Sequence, residues 1–585
     1  MNENLYKKPL PSSRAGLFYN TFAYPAKISP ESVALCIAAH TKLGDVALDV
    51  FGGSGTTGIA ALMCEHPEEE IKTRADKLEL SVEWGARSAI LIEIGKFGAF
   101  ASEVMANPPD PQEFYAAMDE LLREACLSDI YESIDPFGGA GVMRHMIHSD
   151  MLKCPSCGNE FSYCQGMVSQ NPFAISKSGK CPHCQLEGPA SCFSYQMETC
   201  FDTLLGVSVT RRKRVPAKVY GKTGNKNWSR EANDSDIQKL AEIDRIPYPD
   251  MKPKLIQWGE LHRGCHAGIT HLHHFYTKRN FLAMSWLWER AEQLSGRLGD
   301  AAKLLILSYN AAHSTLMTRV VAKKGSKDFV LTGAQSGVLY ISSLPVEKNI
   351  FTGLRRKLPG FVDAFSYLGK CNGHITVLNQ SSQSIPLPDK SVDYVFTDPP
   401  FGDFIPYAEV NQINELWLGE PTDRGSEIIV SPSQGKEVKQ YQEMMSQVFA
   451  EMKRVMKDGA FATLVFHSSK AAIWNALRSA FASAGFHVVA ASSLEKSQAS
   501  FKQVVSDSSV QGDPLLLLAI GDAKEASPGS IGILDEAIQE NPNETDRKIY
   551  AAYISRCLER GALIEMDSKV AYDYIKKKKE IKKDG

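Results

Sequence analysis

Two short segments of this chain hold residues whose types and order could do chemistry. The first, Phe51-Gly52-Gly53-Ser54-Gly55-Thr56-Thr57, follows the apolar run Val46 to Phe51 and precedes the helix-like Gly58 to Met63. A strand that turns through glycines into a helix leaves backbone amides unpaired at the helix start, beside the positive end of the dipole, where an anionic group docks. Glycines at 52, 53 and 55 permit positive φ and close ligand approach. Glu93, closing the next apolar run from Ala89, is the acid placed to hold ribose hydroxyls. It stands further from the loop than the roughly 20 residues of a dinucleotide fold, and an insertion around Cys64 to Trp84 accounts for the excess. No Lys-Ser or Lys-Thr follows the glycines, which disfavours NTP hydrolysis. The bland alternative is a tight turn without a ligand.

The second segment, Asp398-Pro399-Pro400-Phe401, ends the strand-like Val392 to Thr397. In an open α/β sheet the carboxyl end of the strands is the ligand-binding edge. Two prolines stiffen the backbone and remove two donors, so the Asp398 carboxylate and a carbonyl can face outward as acceptors, the pair an exocyclic amino group needs. Phe401 offers a ring on which an extruded base could stack, worth about 1–3 kcal/mol against an unstacking cost of a few kcal/mol. A strand-ending turn with a core phenylalanine is the competing explanation.

Cys154-Pro-Ser-Cys157-Gly and Cys181-Pro-His-Cys184 form two knuckles with 23 residues between them, slightly beyond the usual ribbon window of about 15–20. Four thiolates close a tetrahedral structural zinc site and leave no open catalytic position; Cys164 is a substitute ligand. From Arg211 to Arg230 stand Arg211, Arg212, Lys213, Arg214, Lys218, Lys222, Lys226 and Arg230, with no acid and with Tyr220 and Trp228 interleaved. Such a run contacts nucleic-acid phosphates or is a solvated face. His262, His266, His271, His273 and His274 with Cys265 match no standard ligand spacing and read as packing. Phe281, Met284, Trp288 and Ala291 share a helical face and read as core.

The elements that must position these groups fall at both ends of the chain. Ser29-Pro30 reads as a capped helix start, and a helix with Phe114, Met118, Leu121 and Ala125 on one face follows the second strand. The α/β pattern then stops at about residue 130 and resumes at Ile375 to Leu378, with further strands at Phe461 to Phe466 and Pro514 to Ile520 around a helix from Ala471 to Ala484. Between them lie helix-like segments from Lys278 to Leu294 and from Ala301 to Thr318. Lys576 to Lys583 reads as a frayed, solvated helix end. The chain has 585 residues, so two or three domains are expected. With 43% hydrophobic residues disorder is excluded. No apolar run approaches the roughly 18 residues of a membrane span, and the N-terminus lacks a secretory leader, so a cytoplasmic protein with reduced thiols is expected. A net charge of -3 excludes no partner, because 65 basic and 68 acidic residues can be segregated along the chain.

FGGSGTT and DPPF, in that order and far apart, resemble the S-adenosylmethionine-dependent amino-methyltransferases of DNA in the α-type arrangement, with target recognition in the insertion. The paired CPxC motifs, YTKRN at 276–280, LPVEKN at 344–349 and PYAEVNQINELW from Pro406 resemble their adenine-specific, zinc-ribbon-containing members. The resemblance spans about residues 18 to 522 and implies a Rossmann-like α/β methyltransferase sheet assembled from N- and C-terminal parts, with an inserted zinc-ribbon and mostly helical recognition domain. It implies a cofactor-binding half at 18–128, an inserted recognition region at 129–350 with the ribbon at about 150–200, a catalytic half at 351–522 and a helical extension at 523–585. Its cofactors would be S-adenosylmethionine and structural zinc. Tyr24, Pro25, Asp49, Phe51, Gly52, Gly53, Gly55, Thr56, Thr57 and Glu93 would bind the former, with Asp398, Pro399, Pro400 and Phe401 catalytic. Double-stranded DNA would be the partner, with a cognate restriction endonuclease or another defence component in a restriction-modification setting. Two departures stand out: Phe401 replaces the commoner tyrosine, and Ser381 stands where relatives carry an acid. An aspartate opening the tetrapeptide favours adenine N6, by analogy with that family. N4-cytosine, an RNA amino group, and a DNA-binding protein without turnover are the alternatives. C5-cytosine chemistry is disfavoured because it needs a nucleophilic cysteine, presented in relatives as Pro-Cys, and no such pair occurs.

Overall fold

The computed structural model describes residues 2–124, 128–315, 319–333, 337–496, 512–521 and 530–584. The chain forms two compact units, one of Met1–Pro108, Asp363–Asn411 and Leu418–Gly585, the other of Pro109–Val362 with Gln412–Trp417.

The first unit is an α/β sheet of eight strands: β1 (Leu10–Ser12), β2 (Val46–Asp49), β3 (Ser88–Ile92), β4 (Ile375–Leu378), β5 (Val392–Thr397), β6 (Met456–Val465), β7 (Phe486–Lys496) and β8 (Asp513–Ile520). Their order is β1-β7-β8-β6-β5-β2-β3-β4. Pairing is parallel from β4 through β3, β2 and β5 to β6, and β8 runs antiparallel to both β6 and β7. After the edge strand β1 the chain passes to β2, builds outward through β3 and β4, then returns to β2's other side with β5. Strand order therefore reverses between β2 and β5, which pair Ala47 with Tyr394 and Leu48 with Val395. A crevice opens at the carboxyl ends of strands at such a switch point. The resumption of the sheet at Ile375 and the run at Val392 were legible as strands because both are short, apolar and β-branched.

Helices α1 (Pro30–His40), α2 (Thr56–Met63), α3 (Lys96–Ala106), α4 (Val438–Val455) and α5 (Ala471–Ser483) flank this sheet. Pro30 opens α1 as expected, but Ser29 binds the Glu31 carboxylate instead of a backbone amide. Apolar faces of α4 and α5, including Tyr441, Met445, Phe449, Trp474 and Leu477, join the strands in one buried cluster. Helices Ser530–Glu540, Asp546–Glu559 and Ser568–Asp584 add Leu534, Tyr550, Tyr553 and Ile575 to the same cluster. Two of the terminal lysines are paired: Lys578 meets Asp535 at 3.2 Å and Lys579 meets Asp546 at 3.1 Å, while Lys576 and Lys577 are exposed as expected.

In the second unit a central 14-residue strand, Ala140–Lys153, pairs antiparallel with Arg214–Thr223, Val346–Lys348, Glu132–Ile134, Glu160–Ser162 and Ser194–Tyr195. The expectation of a mostly helical insertion is therefore corrected. Arg214 to Thr223 mixes charge with Val215 and Val219, and two register shifts against the central strand interrupt the period-two signal; Lys222 to Lys226 turns it into a hairpin with Lys226–Glu231. Helices Lys278–Gln293 and Gly296–Leu307 complete the unit; Phe281, Met284, Trp288 and Ala291 are buried as expected. The expected end of that second helix, Leu316 to Thr318, lies outside the described residues, as does Ala125. Helix Pro111–Arg123, expected in the cofactor half, belongs here because Phe114 packs on Phe361 and Arg355 caps the Leu122 carbonyl. Among the described residues no helix is long and apolar enough to cross a membrane.

Candidate active site

The loop after β2 is shaped by glycine. Gly53 and Gly55 have φ of +51° and +79°, a region that costs an L-residue about 1–2 kcal/mol. Gly55 N–H donates to the Gly52 carbonyl at 2.8 Å, and Gly52 N–H donates to the Ile92 carbonyl of β3 at 2.9 Å. Helix α3 packs directly on this turn, since a Cβ on Gly98 would stand 2.5 Å from the Gly53 carbonyl oxygen. Glu93 accepts from Gly53 N–H at 2.7 Å and from Gly95 N–H at 2.6 Å, so in this structure it clamps the loop to the start of α3. The Tyr24 ring lies 3.5 Å from where a Gly53 Cβ would be, and it stacks on Phe97 and Tyr407 with centroids at 6.2 and 6.4 Å. Pro25 is buried beside it, and Lys27 secures the segment by donating to the Phe18 carbonyl at 2.7 Å. The Thr56 hydroxyl faces that of Ser54 at 3.3 Å, and Phe51 packs against the sheet core.

Asp49, expected to bind cofactor, is tied into three elements of the fold. Its carboxylate is buried at 4% exposure and accepts from Phe51 N–H at 3.0 Å, Thr57 Oγ1 at 2.5 Å and Thr397 Oγ1 at 2.8 Å. Burial raises its pKa while these donors pull the other way. One side chain thus fastens the glycine loop, the first turn of α2 and the last residue of β5. Ser382, following β4, adds a bond from its hydroxyl to the Val50 carbonyl.

Asp398-Pro399-Pro400-Phe401 leaves β5 next to this lock. The Pro400 carbonyl accepts from Gly402 N–H at 2.9 Å and Tyr441 Oη at 2.8 Å, which fixes the tetrapeptide's conformation. Phe401 is 6% exposed and lies edge-on to Phe466 at 5.4 Å, in the core cluster. Its ring is not an open platform here; Phe404, 37% exposed and 6.3 Å away, is the more accessible ring. Tyr407 was missed as a site residue. Burial raises its hydroxyl pKa well above the ordinary value, and the charges of Asp398, Glu93, Glu427 and Asp513 add to that. Its ring stacks on that of Tyr24, beside the glycine loop. The PYAE motif carried the signal, but nothing local pointed Tyr407 toward residues so distant in sequence.

The four knuckle cysteines converge, with their sulfurs within 4.8 Å of one another. Cys154 and Cys184 sulfurs are 3.6 Å apart, and Cys157 and Cys181 sulfurs 3.7 Å. A disulfide needs about 2.05 Å, whereas four sulfurs at about 2.3 Å from a zinc stand about 3.8 Å apart on a tetrahedron's edges. The donor set fits structural zinc. Leu152, Phe161, Met167 and Phe193 pack around Cys154 and Cys181 in a core too small to hold the knuckles alone. Cys164 is outside the ligand group and packs in a neighbouring cluster.

Most of the basic stretch is already neutralised. Arg211 pairs with Glu198, Arg212 and Arg214 with Asp150, Lys213 with Glu160, Lys218 with Asp328, and Arg230 with Asp236. Lys222 and Lys226 are exposed on the hairpin end. The histidine stretch also found a distant acid: His273 and His274 Nε2 lie 2.7 and 2.9 Å from Asp202 Oδ2. These three groups have cation-ligand geometry, but His274 Nδ1 accepts from Thr270 N–H at 3.2 Å, which puts the neutral ring's proton on Nε2, facing Asp202. Burial alone would raise the Asp202 carboxyl, and the two imidazole bonds outweigh it and hold it well below the carboxylate range. YTKRN and LPVEKN meet at a buried clamp in which Arg279 reaches Glu347 at 3.2 Å and Asn280 bonds the Lys348 carbonyl at 3.0 Å.

The family profile described as DNA methylase, N6_N4_Mtase, matches residues 3–96, which include the glycine loop and Glu93 and end before the tetrapeptide. No curated protein matches the chain. A solved structure titled the crystal structure of antibiotic-resistance methyltransferase Kmr matches at 14% identity and a TM-score of 0.16, over 27% of this chain. This chain spans 65% of that structure's length. The similarity to DNA methylases is thus recorded for the first 96 residues.

Proposed function

We propose that the chain is a DNA amino-methyltransferase that uses S-adenosylmethionine and methylates the exocyclic N6 of adenine in a flipped-out base. The observation that carries this reading is the Asp49 bridge between the glycine loop and Thr397, at the switch point between β2 and β5. The positive-φ cradle at Gly53 and Gly55 and the face of Tyr24 suit a nucleoside-bearing cofactor. S-adenosylmethionine, when bound, supplies an electrophilic methyl carbon. Glu93 would turn a carboxylate lone pair to ribose hydroxyls while keeping its loop amides. Asp398 and the Pro399 carbonyl would accept the two amino hydrogens of the base, which directs the nitrogen lone pair toward the methyl group, and Asp398 would take the proton released. Phe401, or Phe404 beside it, would stack the base. The four-cysteine knuckle would hold zinc for structure alone.

Nucleoside analysis of duplex DNA incubated with the protein and methyl-tritiated S-adenosylmethionine tests this. N6-methyladenine is the expected product. Label in cytosine, label in RNA alone, or no transfer would each replace the proposal with one of its rivals.

A further inference from the structure

We infer that the second unit carries a phosphate-binding stripe whose cations, Lys348 and Arg356, lie outside the Arg211–Arg230 stretch, and that its occupant is the backbone of duplex DNA. The choice of DNA rests on the proposed function above; the polyanion chemistry stands on the side chains themselves.

Lys348 ends an edge strand and lies directly opposite His145 on the central strand, while Asn349 N–H donates to the Arg144 carbonyl at 2.9 Å. Lys348 Nζ and the Arg356 guanidinium approach the Tyr309 ring at 5.5 and 5.8 Å from its centroid, and Arg356 donates to Tyr309 Oη at 2.7 Å. On the next strand Tyr220 stacks on His145 with centroids 4.3 Å apart and planes 14° from parallel. Arg356 is exposed, and Lys348, Tyr309, His145 and Tyr220 are half-buried. Lys348, His145 and Tyr220 stand abreast on three neighbouring strands, two spacings of about 4.8 Å and so roughly 10 Å, with Tyr309 and Arg356 beside Lys348. That exceeds one phosphate and spans about three along a nucleic-acid strand.

The charge of this stripe is uncompensated where the Arg211–Arg230 stretch is not. Among the described residues, Lys348 and Arg356 make no ion pair with a carboxylate, while six cations of the earlier stretch do. The acid nearest the stripe, Asp328, is taken by Lys218 at 2.9 Å and Tyr220 at 2.7 Å. Burial and the charge of Arg356 bring the Lys348 ammonium down to about 8, and burial with Arg144 and Lys348 brings His145 to about 4. His313, edge-on to Tyr309 at 4.7 Å, is buried with neither ring nitrogen hydrogen-bonded. Among the described residues the Lys348 ammonium and the Arg356 guanidinium share a ring and no carboxylate, so the patch favours an anion that the fold does not itself supply.

The test measures fluorescence anisotropy of a 30-base-pair duplex across a salt series with the full chain, Lys348→Gln, Arg356→Gln, the double variant, and Lys213→Gln as a neutralised control. Each lost phosphate contact lowers the slope of log K against log salt by about 0.9. The double variant should therefore lose a slope of about 2 and at least tenfold in affinity at low salt, while Lys213→Gln stays within twofold. Arg356→Lys should restore the slope, and melting temperature and S-adenosylmethionine binding should not move. Unchanged slope and affinity in the double variant would overturn the stripe, as would wild-type binding to RNA with none to DNA. If the wild type transfers no methyl group but the slopes fall as described, the proposed function fails and the stripe stands.

Discussion

Thr397→Val removes one hydroxyl and leaves the shape of a 1% exposed side chain nearly intact. The lost bond is the 2.8 Å donation to Asp49 Oδ1, which then keeps only the Phe51 amide on that oxygen. A hydrogen bond to a buried carboxylate contributes about 1.5–3 kcal/mol. For a unit of this size the fall in Tm should be about 2–4 °C by scanning calorimetry. Because Asp49 also positions Phe51 and Thr57, S-adenosylmethionine binding by titration calorimetry should weaken by up to about tenfold, equivalent to about 1.4 kcal/mol. Thr397→Ser restores the donor and should recover both. If Thr397→Val keeps the wild-type Tm and cofactor affinity, Asp49 does not couple the two segments and the reasoning fails.

Gly98→Ala should abolish cofactor binding with modest loss of stability, because the new methyl meets the Gly53 carbonyl oxygen at 2.5 Å; titration calorimetry reads the first and thermal melting the second. Purified protein should release one zinc per chain on thiol modification, in a colorimetric chelator assay, and Cys181→Ser should release it unprompted; a metal-free but stable protein would contradict the tetrahedral assignment. Burial alone would raise the Glu347 carboxyl, but Arg279 and then His148 outweigh it and hold it at about 2, below its ordinary 4.5. Its folded pKa is depressed, so its contribution, on the order of 3 kcal/mol, is present above about pH 4.5 and lost as the pH falls toward 2. Acid unfolding followed by circular dichroism should show that loss in wild type, and Glu347→Gln should flatten it.

The strand–loop–helix at Val46 to Met63 was legible because glycines mark the turn and apolar runs mark its flanks. The cysteine knuckles were legible because short spacing fixes two ligands locally. What stayed hidden depends on partners remote in sequence. The bond between Asp49 and Thr397 could not be read because 348 positions separate them. Arg212 and Arg214 looked free for phosphate because Asp150 is about 60 residues upstream, and His273 and His274 looked like packing until Asp202 met them. The insertion's sheet was obscured because charged residues are spread along Arg214–Thr223 and two register shifts break its alternation.

The most direct test of the central claim compares methyl transfer by wild type and Asp398→Ala, with tritiated S-adenosylmethionine and duplex DNA, alongside calorimetric cofactor binding. Wild type should label adenine, and the variant should bind the cofactor with unchanged affinity and transfer nothing. Turnover retained by Asp398→Ala would contradict the account.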